Sequence, residues 1–136
     1  MIRRLDGRTV ATAAGLAIAV TVPPTWLVRL LKGDDLDGQE SALWVVPVLA
    51  LFVGFALAGH LAARRRPDAP LTHSAAAALA AFGLLSGVTV VRRVVRGDGL
   101  SGPLLITLLL LFQITVSLAV LGGYVATRRE ARRQDA

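Results

Sequence analysis

The sequence predicts an all-α membrane protein in which four transmembrane helices form two tandem helix-pair repeats, parallel to one another, in a pseudo-twofold bundle. Three observations predict it. Four stretches are long and apolar enough to cross a hydrocarbon core of about 30 Å, which takes about 20 residues. The charged residues are confined to the segments between these stretches and to the chain ends. Sliding the chain against itself by 64 residues brings similar segments into register.

The spans are expected at about 9–28, 42–63, 73–91 and 103–126 in a single membrane domain of 136 residues. Hydrophobic residues make up 54% of the chain and charged ones 18%, whereas soluble domains are roughly 45–50% apolar even when glycine is counted. All 9 acidic residues lie at Asp6, in 34–40, at Asp68 and Asp98, or at Glu130 and Asp135. No soluble helix surface is served by that distribution. The first span follows Arg3, Arg4 and Arg8 as a signal peptide would, but Pro23 and Pro24 stand where a small-residue cleavage site is needed. It is therefore expected to remain as a span. Arg3-Arg4 lacks the rest of a twin-arginine export pattern.

The repeat is clearest in the connections. With the 64-residue shift, the segment Arg29-Leu30-Leu31-Lys32-Gly33-Asp34 lies over Arg93-Val94-Val95-Arg96-Gly97-Asp98. Gly59-His60-Leu61-Ala62-Ala63-Arg64-Arg65 lies over Gly123-Tyr124-Val125-Ala126-Thr127-Arg128-Arg129. Ala11, Ala13, Ala14 and Ala17 fall on Ala75, Ala77, Ala78 and Ala81. The copies run over about 8–66 and 72–130, with a basic tail at 128–136. A two-span unit returns to its starting side, so the copies share one orientation.

Ten basic residues lie at the N-terminus (Arg3, Arg4, Arg8), in the central connection (Arg64, Arg65, Arg66) and in the tail (Arg128, Arg129, Arg132, Arg133). Five lie in the other two connections: Arg29, Lys32, Arg92, Arg93 and Arg96. The positive excess marks the cytoplasmic side, so both termini are expected inside. Lys32 is the single lysine among the 15 basic residues, and the Arg, Ala, Gly and Val usage suggests a high-GC bacterium and hence its plasma membrane.

Each outer connection follows one plan. A helix-weakening pair, Pro23-Pro24 or Ser86-Gly87, precedes a short helical segment at 25–32 or 89–96. Basic residues three apart, Arg29/Lys32 and Arg93/Arg96, share a face of that segment. Gly33 and Gly97 are suited to ending it in a left-handed conformation. Asp37 with Glu40 opens the second span as a capping box, and Ser101 with Pro103 opens the fourth. Arg29, Lys32, Arg92, Arg93 and Arg96 are expected to snorkel to headgroups, the sharper alternative being an outer site for an anionic group or lipid.

Helix contact in a bilayer needs small residues that let backbones approach. Ala50, Gly54, Ala58 and Ala62 supply them in the second span, Ala119/Gly123 and Gly122/Ala126 in the fourth. Ala11, Gly15 and Ala19 are the expected stripe of the first span, Ala76/Ala80 and Gly83/Gly87 that of the third. These stripes serve either the bundle itself or contact between copies.

No Asp, Glu, Lys or Arg lies centrally in any span, which speaks against proton relays and ion-coupled transport. Gln113, Thr107, Thr115, Ser86 and Ser117 are the deepest polar side chains, and Gln113 is suited to bonding a neighbouring helix or lining a pore. The serines and threonines are expected to bond their own backbone. His60, Tyr124 and His73 lie near the cytoplasmic boundary; His60 and Tyr124, equivalent in the repeat, suit the headgroup level as interface anchors. No catalytic, metal-binding or cofactor-binding constellation stands out, there is no cysteine, and no enzyme activity is expected. The net charge of +6 is accounted for by flanking arginines rather than by a nucleic-acid surface, since no aromatic residues interleave them.

Gly122–Arg129, its echo at Ala58–Arg65, and Pro70-Leu71-Thr72-His73 resemble small four-span bacterial membrane proteins of the YrzE-like type. The resemblance implies fold and no activity, and it departs at Ala75–Ala81, where that family has more glycine. The expected function is a non-enzymatic scaffold or accessory subunit, with the bilayer and a second copy or larger membrane complex as partners. The alternatives are a small oligomeric channel or transporter, and an anionic-lipid-binding protein.

Overall fold

A computed structural model of the chain describes residues 5–32, 43 and 45–134, apart from the side chains of Arg29, Lys32, Arg133 and Gln134. Four helices account for nearly all of them: α1 (Gly7–Lys32), α2 (Val45–Arg65), α3 (Pro70–Val95) and α4 (Gly102–Gln134). Each is long and apolar enough to cross a membrane. At about 1.5 Å per residue, the 21 residues of α2 extend about 31 Å, close to the hydrocarbon thickness of about 30 Å.

The polarity of the bundle is that of a membrane protein. Its core is built from small side chains, Ala13, Ala14, Ala17, Ala58, Ala62, Ala77, Ala78, Ala81 and Ala119 around Phe55. Large apolar side chains such as Leu49, Leu84, Leu109 and Leu110 point outward. In water this arrangement would expose what the hydrophobic effect buries first. In lipid it is the economical one, because tails solvate leucine and only close backbone approach adds attraction.

Neighbours in sequence run antiparallel. Gly54 of α2 faces Ala17 and Thr21 of α1, and the rings of Phe82 in α3 and Phe112 in α4 stand 5.5 Å apart at 59°. The alternate helices α2 and α4 run side by side in the same direction, and their backbones touch. A β-carbon on Gly59 would overlap the Ala119 carbonyl, and one on Gly122 the Ala56 carbonyl. Helix α3 also packs on α2 and α1, whereas α1 meets α4 at most marginally.

Burial recurs at the 64-residue interval. Thr9 and His73, Ala13 and Ala77, Ala14 and Ala78, Ala17 and Ala81, Phe55 and Ala119, Gly59 and Gly123, and Ala62 and Ala126 are all buried. The contact of α2 with α3 has no equal counterpart between α4 and α1, so the helix arrangement is not symmetric.

Several expectations shift. Helix α1 runs unbroken through Pro23 and Pro24 to Lys32, so no separate segment follows the prolines. The two missing amide donors belong to the carbonyls of Ala19 and Val20, four residues back. Helix α3 is likewise continuous through Ser86-Gly87. The buried stripe of α1 is Thr9, Ala13, Ala17 and Thr21, while Ala11, Gly15 and Ala19 face outward. In α3 it is His73, Ser74, Ala77, Ala78 and Ala81, with Gly83 exposed. The expected stripes hold in α2, where Gly54, Ala58 and Ala62 are buried, and in α4, where Ala119, Gly123 and Ala126 are.

Helix α3 ends as Gly97 suggests. Gly97 has φ +78°, its amide donates to Val94 O (3.1 Å) and the Asp98 amide donates to Arg93 O (3.0 Å). This is a Schellman motif with glycine at the left-handed position. Helix α4 starts at Gly102 with Pro103 in its first turn, and its first bond runs from the Leu105 amide to Ser101 O. Asp37, Glu40 and Gly33 lie outside the described residues.

Candidate functional site

Among the described residues, three places bring polar chemistry together. The first joins α1, α2 and α3 at the end of the bundle that holds the start of α1 and the end of α2. Asp6 precedes α1 and caps it: Oδ1 accepts from the Arg8 amide (3.1 Å) and Oδ2 from the Thr9 hydroxyl (3.0 Å). Arg66, one residue beyond α2, donates to the same Oδ2 from Nε (3.0 Å) and Nη2 (2.6 Å). Hydrogen bonds from Arg66 first and Thr9 second lower the Asp6 pKa from 3.8 to about 2. The same partnership raises that of Arg66.

His73 completes this joint. The Asp6 amide donates to His73 Nε2 (3.2 Å). An amide can only donate, so Nε2 is an acceptor and the ring proton sits on Nδ1, 2.9 Å from Ala69 O. His73, placed by the sequence near the cytoplasmic boundary without a partner, is thus a buried link between α1 and α3. On the next residue, Ser74 Oγ lies 2.8 Å from Gly59 O of α2 and 2.8 Å from Pro70 O of its own helix. Gly123 of α4 packs directly on that hydroxyl.

The second place is a groove along α3 lined by Gly83, Leu84, Gly87, Val88, Val91, Arg92, Val95 and Arg96. Arg92 and Arg96, four residues apart, close its polar end. Arg93 does not line it and is only half-exposed, so of these three arginines it is 92 and 96 that meet at the groove. Arg29 and Lys32 belong to α1, but their side chains lie outside the described residues.

The third place lies between α2 and α4. His60, Arg64, Ala126, Arg129 and Glu130 line a pocket there, and Tyr124 lines a shallow depression beside it with Arg128, Arg129 and Arg132. His60 is half-buried and Tyr124 exposed.

Gln113 lies on the exposed outer face of α4. Its backbone carbonyl accepts from Ser117 Oγ (2.8 Å), but the bond from its side chain to a neighbouring helix is not made among the described residues. The hydroxyls of Ser86, Thr107 and Thr115 bond carbonyls of their own helices, as expected. Thr21 Oγ1, against Gly54, is the buried side-chain polar atom without a partner among the described residues.

The sequence reading missed the Asp6–Arg66–His73 joint. Asp6 placed three residues before Thr9 was a legible N-cap signal. The cross-helix partners carried no local signal.

The chain matches no protein-family model, no curated protein and no solved structure.

Proposed function

We propose that the chain is a non-enzymatic scaffold or accessory subunit of the bacterial plasma membrane, associating with a second copy or a larger membrane complex through the outer face of α4. One observation carries this reading. Gln113 stands near mid-span on the face of α4 that the other described residues leave uncovered. A primary amide facing hydrocarbon without a partner is costly, and a helix of another chain can supply the missing bonds. Helix α4 also offers the most free surface. Only 11% of its span window is buried, against 33% for α2.

In this reading both termini are cytoplasmic, following the arginine distribution, and the two helix pairs descend from one duplicated unit. The matched burial at positions 64 apart supports the duplication. The reading takes the four-span layout to be of the YrzE-like kind that the sequence resembles.

The test is self-association of the full chain in a bilayer, read by energy transfer between labelled copies and by size in mild detergent. Gln113→Leu lowers association if the amide bridges chains. Association unchanged in Gln113→Leu, with no other membrane protein lost on purification, contradicts the reading. A channel would use the same exposed amide, with Ser117 one turn away, around a pore between copies. Solute flux into proteoliposomes that disappears in Gln113→Leu would favour the channel over the scaffold.

A further inference from the structure

An apolar groove of about 420 Å³ runs along the seam of α2 and α4, within the ~300–1,000 Å³ typical of small-ligand clefts. Its walls include Val53, Leu57, Leu118, Leu121 and Val125. It exists because Ala56 and Gly122, where the two backbones touch, have almost no side chain to fill it. At one end it opens into the polar pocket of about 100 Å³ formed by His60, Arg64, Ala126, Arg129 and Glu130. His60 and Arg129 line both, so groove and pocket are one continuous surface. It is apolar for most of its length and basic at its end.

We propose that this surface holds one anionic phospholipid, with an acyl chain along the α2–α4 seam and the phosphate between Arg64 and Arg129. Two guanidinium groups against the single Glu130 carboxylate leave the pocket net positive, and Arg128 and Arg132 border it. Guanidinium forks match phosphate oxygens in pairs. Basic pockets between transmembrane helices are suited to anionic headgroups. The depth agrees, because Arg64 and Arg129 stand where the apolar stretches of α2 and α4 give way to charge.

A second copy fits this groove less well. A symmetric contact across the seam would bring Arg64, Arg128 and Arg129 of each chain together at the same membrane level. A free phosphate ion leaves the apolar length of the groove unused. The site is separate from Gln113, so it stands or falls independently of the association proposed above.

The experiment is native mass spectrometry of the full chain in mild detergent, with added phosphatidylglycerol, phosphatidylcholine of the same acyl chains, or inorganic phosphate. One phosphatidylglycerol retained per chain, about tenfold or more over phosphatidylcholine, supports the site. So does its loss in the Arg64→Gln/Arg129→Gln double variant and its retention in Arg92→Gln/Arg96→Gln. Val53→Trp, at an exposed wall position, keeps every charge and narrows the groove, and it too lowers retention. Arg64→Lys/Arg129→Lys keeps the charge without the fork and retains an intermediate amount. Equal retention of the two lipids overturns the proposal, as does phosphatidylglycerol binding unchanged in the Arg64/Arg129 variant. Displacement of the lipid by inorganic phosphate alone, or a disulfide between copies of Leu57→Cys in a bilayer rich in phosphatidylglycerol, overturns it as well.

Discussion

The carbonyl of Ala119 occupies the space a β-carbon on Gly59 would need, so α2 and α4 meet backbone to backbone. Gly122 stands in the same relation to Ala56. Because each Cα–Cβ bond tilts toward its helix N-terminus, each glycine meets a residue nearer the start of the other helix, as two helices running in the same direction require.

Gly59→Ala and Gly122→Ala must therefore push the helices apart. Over-packing of this kind costs about 1–3 kcal/mol, more than the gain of up to ~1 kcal/mol in helix propensity from losing a glycine. Both variants lower the thermal midpoint of the purified protein in detergent. Gly15→Ala and Gly83→Ala face open space and leave it unchanged or raise it.

Gly97 behaves differently from either group. A β-carbon there would meet nothing, but its φ of +78° is disfavoured for any side chain. Gly97→Ala costs about 1–2 kcal/mol from left-handed strain alone. Gly97→Asn, more tolerant of that region, recovers part of it in the same melting experiment.

Ser74 ties three helices through one hydroxyl, bonded to Gly59 O and packed under Gly123. Hydrogen bonds between membrane helices average about 0.6 kcal/mol, with a maximum near 1.7. Ser74→Ala falls in that range. Ser74→Leu is far worse, since it drives a branched side chain into the backbone of α4. Comparing the two by unfolding in mixed detergent separates the bond from the space.

Acid loosens the Asp6 joint. Its carboxyl has a folded pKa of about 2 against an ordinary 3.8, so the stabilisation is present above the ordinary value and disappears as pH falls through about 2. The fall in stability between about pH 4 and 2 is predicted to be shallower in Asp6→Asn, which keeps a capping oxygen and loses the charge. An identical pH profile in wild type and Asp6→Asn would show that Arg66 gains nothing from the carboxylate.

The spans were legible in the sequence because length and hydropathy are local properties, and the stop at Gly97 because a left-handed terminus calls for glycine. The packing face of α2 was legible from Gly54, Ala58 and Ala62, since these small residues repeat every four positions along one face and are buried there. In α1 and α3 alanine is so frequent that several faces are equally smooth. The choice of Ala13 and Ala17 over Ala11, Gly15 and Ala19 follows from what the other helices present. The partner of His73 was not legible for a related reason, as Asp6 lies 67 residues away. Pro23 and Pro24 read locally as a break, but α1 continues through them. In a bilayer, continuing the helix leaves fewer backbone groups unpaired than unwinding it.

Labelling of introduced cysteines tests the central claim most directly, because the chain contains none of its own. Pro67→Cys lies between α2 and α3, and Gly99→Cys between α3 and α4. An impermeant maleimide added to intact spheroplasts is predicted to label Gly99→Cys at once and Pro67→Cys only after the inner membrane is opened. Equal labelling of both before opening, or labelling of Pro67→Cys alone, would contradict a four-span bundle with its termini in the cytoplasm.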